Sequence, residues 1–142
     1  MARSTFSGPL RAGTLLEGSA APNVGNVVLS QTVLINFDAT LVQNATINLP
    51  ANAQIVNIFA DVLTAYNSAT SATLTVGTAS AGTQYASGVN AKTAGRTIPA
   101  YTAAQLAAMA SIGTTTPVVA TVTSVGQPTA GQVRLTVQYV QN

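Results

Sequence analysis

From Val27 onward, apolar side chains recur at every second position in short runs. Only an extended strand puts alternate residues on one face, so this spacing predicts strands and excludes a mainly helical chain. The last run, residues 132–141, is the clearest. Val133, Leu135, Val137 and Tyr139 share one parity, and Arg134, Thr136 and Gln138 the other. The first run places Val27, Leu29, Val33, Ile35 and Phe37 together, interrupted by Gln31, with Val28 and Leu34 as apolar exceptions on the polar side. Residues 54–64 are the most apolar run. Val56, Ile58, Ala60 and Val62 are predicted to form one continuous face, and Ile55, Phe59 and Leu63 to share the opposite face with Asn57 and Asp61. A strand apolar on both sides is either central in a sandwich or covered by another subunit.

Shorter strands are predicted at 46–49, 72–76, 83–89, 96–98 and 118–125. Residues 50–53 and 65–71 read as a turn and a polar loop. The segment 126–131, Gly-Gln-Pro-Thr-Ala-Gly, reads as the connector of a closing hairpin. One helix is predicted from Ala103 to Ala110. Thr102 is its N-cap, Gln105 the capping-box partner and Gly113 the stop. Two turns of helix are marginal alone, so its Leu106/Met109 edge is expected to pack on the strands. About eight short strands with Gly and Pro punctuation predict an all-β, jelly-roll-like β-sandwich.

The 142 residues suffice for one domain. Residues 1–25 hold Pro9, Pro22 and many Gly, Ser and Ala, with no sustained period, and are expected to form an extended arm. Residues 26–142 are expected to form the sandwich body. The arm's candidate contact residues are Arg3, Phe6, Pro9, Leu10, Arg11, Leu15 and Leu16.

Charged residues make up only 6% of the chain, with five bases, three acids and a net charge of +2. Ordinary soluble domains carry about a quarter. So little charge suggests a surface covered by partner chains. The bases (Arg3, Arg11, Lys92, Arg96, Arg134) are scattered without an aromatic cluster, which argues against nucleic acid as a partner. Neither an apolar signal core nor a run of about 20 apolar residues is present, so no membrane association is expected.

The chain has no cysteine and no histidine. This removes the commonest nucleophile–base pairs and transition-metal ligands. Asp38 and Asp61 are the likeliest acid pair to consider, but surface or Arg-paired acids are the commoner case. No catalytic, cofactor-binding or metal-binding set is assigned, and the chain is expected not to be an enzyme. Asn44-Ala45-Thr46 matches a glycosylation sequon, read as a loop-to-strand junction. Lys92 and Arg96 bracket a small basic loop suited to an acidic patch. Tyr66 and Tyr101 fall in loops and, with Phe59, complete the candidate interface set.

The opening Ala2-Arg3-Ser4-Thr5-Phe6-Ser7-Gly8-Pro9-Leu10 resembles the start of small virion proteins of tailed bacteriophages. The phrases at 49–58, 73–78 and 88–96, and the ending Arg134-Leu-Thr-Val-Gln-Tyr-Val, resemble the same group. That group is the capsid decoration, or cement, proteins with a jelly-roll body. The resemblance implies a structural protein on the outer capsid surface that clamps neighbouring major capsid subunits. It also implies self-association, with a homodimer favoured over a trimer by the prevalence of two-fold contacts. The competing expectation is a receptor- or glycan-binding module of a head or tail fibre.

Overall fold

The computed structural model describes residues 26–114 and 117–141. These form eight strands and one helix in the order β1 (Leu29–Asn36), β2 (Val42–Asn48), β3 (Ala53–Thr64), β4 (Ser71–Gly77), β5 (Ala86–Asn90), β6 (Gly95–Thr97), α1 (Ala103–Met109), β7 (Pro117–Val125) and β8 (Gln132–Gln141). The arm predicted for residues 1–25 lies outside the described residues.

The strands pair as a hairpin of the whole chain. β1 lies against β8, β2 against β7, β3 against β6 and β4 against β5, all antiparallel. Rolling that hairpin brings β8 against β3 and β7 against β4. The result is two four-stranded sheets, β1-β8-β3-β6 and β2-β7-β4-β5. This is the jelly-roll arrangement. The inner faces meet over Ile35, Ile58, Val62, Leu135 and Val137 of one sheet and Ile47, Leu74, Val76, Val118 and Val122 of the other, all buried.

Strand β3 departs from its predicted parity. Ile55 stands opposite Tyr139 and Asn57 opposite Gln138, leaving Val56 unmatched in a β-bulge. The extra residue resets the alternation. Ala53 and Ile55 face inward before it, and Ile58, Ala60 and Val62 after it. Val56, expected to share a face with Ile58, Ala60 and Val62, is instead 41% exposed. The apolar character on both sides of the sequence is therefore two inward runs joined out of phase, with Val56, Phe59 and Leu63 left on the outer side.

The 126–131 segment is also corrected. It does not close a hairpin, because β7 and β8 belong to different sheets. Its Gly and Pro serve a crossing at one end of the sandwich. Gly131 lies at φ +155, and a Cβ there would stand 2.5 Å from the Tyr66 ring. Only glycine lets the backbone pass that close. The helix has its predicted capping box: the Gln105 N–H donates to Thr102 Oγ1 at 3.2 Å and the Thr102 N–H to Gln105 Oε1 at 2.9 Å. Its buried edge differs. Met109 is 2% exposed, but Leu106 is 53% exposed, and Gln105 takes the inward place by donating to the Thr83 carbonyl at 3.0 Å. No helix among the described residues is long and apolar enough to cross a membrane.

Candidate interaction surface

The outer face of the β1-β8-β3-β6 sheet carries the one ionic cluster among the described residues. Register places Leu34 of β1 opposite Arg134 of β8, Arg134 opposite Asp61 of β3, and Asp61 opposite Arg96 of β6. These four residues form one row across all four strands. Residues in register lie within side-chain contact distance. Arg96 grips Asp61 with both prongs, Nε to Oδ1 at 2.6 Å and Nη2 to Oδ2 at 3.0 Å. Arg134 donates to Oδ2 from Nη2 at 2.6 Å and from Nε at 3.2 Å. The guanidiniums of Arg96 and Arg134 hold the Asp61 carboxyl well below the usual carboxylate range, Arg96 contributing most. Asp61 in turn raises the pKa of Arg96.

Exposure is graded across the cluster. The Asp61 side chain is 9% exposed, whereas those of Arg96 and Arg134 are 58% and 44% exposed. The carboxylate lies beneath and the cations outside. Two cations on one anion leave one net positive charge facing outward. The Arg96 guanidinium also stacks over the Phe59 ring, 4.5 Å from its centroid. Extending the β3–β6 register by one residue puts exposed Ile98 beside Phe59. Phe59 shares its row with Thr136 and Thr32, whose hydroxyls lie 3.1 Å apart. Chemically the arrangement is suited to holding charge rather than to moving protons: an acid held ionised cannot donate a proton, and a guanidinium does not give one up.

The candidate residues fare differently. Arg96 and Phe59 lie together on this face. Tyr66 is corrected from an interface residue to a core residue. It is 1% exposed, packs under Gly131, and burial pushes its phenol up to about 12. Tyr101 is half-buried beyond the end of β6, where its hydroxyl accepts from the Ile58 N–H at 2.9 Å and reaches the Ile58 carbonyl at 2.9 Å. It satisfies β3 backbone that β6 is too short to cover, and the same burial raises its pKa.

Lys92 also works within the chain. Its Nζ donates to the carbonyls of Ser68 at 2.7 Å, Thr70 at 3.3 Å and Ala69 at 3.4 Å, tying the 91–94 loop to the 65–70 loop. It is not on the face that carries Arg96. Asp38 sits in the exposed loop after β1. Hydrogen bonds from the Thr40 hydroxyl and Thr40 N–H lower its pKa, and Gln43 adds a third. It shares no partner with Asp61, so the two do not form an acid pair. Asn44 lies within β2 rather than at a loop junction, and accepts from the Thr121 hydroxyl at 2.7 Å. Arg3, Phe6, Pro9, Leu10, Arg11, Leu15 and Leu16 lie outside the described residues.

Sequence reasoning missed Arg134 as a partner of Arg96. The sequence pattern puts Arg134 on the polar parity of its strand and Asp61 on the face shared with Ile55, Phe59 and Leu63, but alternation does not say which strands are neighbours. Comparison with protein-family models, with curated proteins and with solved structures finds no match to this chain.

Proposed function

We propose that this chain is a structural virion protein that binds the outer surface of a phage capsid and stabilises contacts between major capsid subunits. The observation that carries the reading is how its surface is used. The five charged side chains among the described residues (Asp38, Asp61, Lys92, Arg96 and Arg134) are all engaged within the chain. Large apolar side chains meanwhile stand exposed, and Leu34, Phe37, Leu41, Val42, Leu63 and Val125 gather toward the end of the sandwich where the 37–41, 65–70 and 126–131 loops meet. Such a surface is poorly suited to a freely diffusing monomer and well suited to one covered by partners.

The jelly roll supplies a rigid body, and the sequence resemblance assigns the 1–25 segment to docking. Many copies binding one shell add strength through avidity even where each buries little area. The phage-fibre alternative calls for a concave site with rings to stack on sugar. The cleft of about 460 Å³ beside α1 is lined by groups such as Thr83, Gln84, Ser87 and Gln105, with no aromatic side chain among them. It therefore gives that alternative less support.

The test is co-sedimentation with phage heads that lack this chain. The intact chain is expected to bind them, and a variant lacking residues 2–16 to keep its melting transition but lose the heads. Failure of the intact chain to bind overturns the reading; full binding by the truncated chain removes the arm from it.

A further inference from the structure

We infer that the outer face of β1-β8-β3-β6 receives an acidic segment of the partner protein, its carboxylate held by Arg96 and Arg134 and its apolar neighbours resting on Leu34, Phe59 and Ile98. This inference deepens the capsid-binding reading and rests on it for the partner's identity.

Charge complementarity carries the argument. Each guanidinium has five N–H donors in a planar fork. Arg96 and Arg134 each direct Nε and Nη2 at Asp61, which leaves Nη1 of both for an incoming acceptor. Asp61 lies under the guanidiniums and neutralises only one of them. It also orients them, so little side-chain entropy remains to be lost on binding. Stacking on Phe59 fixes Arg96 further.

The occupant is a protein segment rather than a nucleic acid. One net charge flanked by Leu34 and Ile98 is too little for a polyanion and suits an acid within an apolar patch. A second copy of this chain has little to offer, since its other acids are only Glu17 and Asp38.

The experiment measures binding to heads lacking this chain. Arg96→Gln and Arg134→Gln are each expected to weaken binding about tenfold or more, the scale of one charged hydrogen bond. Asp61→Asn removes the internal counter-charge while its amide oxygen can still accept from and orient the guanidiniums, and is expected to bind at least as well as wild type. Loss of fold lowers all three together, so this opposite sign separates recognition from structure, with melting curves as the check. Unchanged binding by the two arginine variants overturns the inference, as does an equal loss in Asp61→Asn.

Should the intact chain not bind heads, the capsid reading fails but the fork is still tested. NMR of the arginine Nε–H signals during titration with poly-L-glutamate is expected to shift Arg96 and Arg134, and unmoved signals overturn the inference. Stronger shifts with duplex DNA reassign the fork to phosphate. Self-association abolished by Glu17→Gln or Asp38→Asn reassigns it to a second copy. Either result also overturns the inference.

Discussion

On the outer face of the β2-β7-β4-β5 sheet, one row across three strands reads Asn44, Thr121, Thr75. On the other sheet the row across four strands reads Leu34, Arg134, Asp61, Arg96. On the first face Asn44 and Thr121 are joined by neutral hydrogen bonding, while the Thr75 hydroxyl is buried with no hydrogen-bond partner among the described residues. The Thr121 hydroxyl donates to Asn44 Oδ1 at 2.7 Å and accepts from the Ala81 N–H at 2.9 Å, where the loop between β4 and β5 folds over the sheet. Thr121 is consequently buried although it points outward. The second face is held by shared charge and left open. The same alternation thus produces one face closed by its own loop and one that presents cations. The difference lies in which strands become neighbours.

Deleting Val56 is expected to have the largest effect. Without the bulge residue, either Ala53 and Ile55 turn outward or the strand must draw in residues from the 49–52 turn. A loss of about 4 kcal/mol or more in denaturant unfolding is expected, the scale of removing buried aliphatic groups. A near-wild-type midpoint would show that the charged face does not depend on the bulge.

Asp61→Asn comes next, at about 2 kcal/mol, between the values for exposed and buried pairs because both arginines are partly exposed. The pH dependence has a defined sign. A carboxyl whose folded-state pKa is depressed stabilises the fold above its unfolded value of 3.8, and that contribution fades as pH falls through the folded value. Wild type is therefore expected to lose stability below about pH 4 more steeply than Asp61→Asn. Parallel acid profiles would remove charge as the distinction between the faces.

Much of the body was legible in the alternation. Residues 132–141 match β8, and Thr102 with Gln105 marked the helix start. The misses share a physical cause. Val56 looks like any inward valine until its partner strand shows two residues against one. Tyr66 looks like a loop residue until Gly131 passes over it. Leu106 lost its inward place to Gln105, whose amide satisfies the Thr83 carbonyl as no leucine can. The Asp61 cluster joins residues 35 and 73 positions apart, beyond the reach of local patterning.

On the neutral face, Thr121→Val is expected to cost about 1 kcal/mol by leaving the Ala81 N–H and Asn44 without their shared hydroxyl. That cost should not change with pH or salt; a salt-dependent cost would blur the contrast between faces. The smallest effect is ionic. Raising salt is expected to lower wild-type stability only slightly through screening of the Arg96 and Arg134 pairs with Asp61, and not to lower that of Asp61→Asn, where it screens the repulsion between the two guanidiniums.

The place of β8 inside its sheet, between β1 and β3, governs when the protein can be completed during synthesis. Until Gln132–Gln141 emerges from the ribosome, β1 has no partner in its sheet and β3 has only the three residues of β6. Translation must therefore run ahead of folding. Until that segment emerges, the growing polypeptide carries an open gap between β1 and β3.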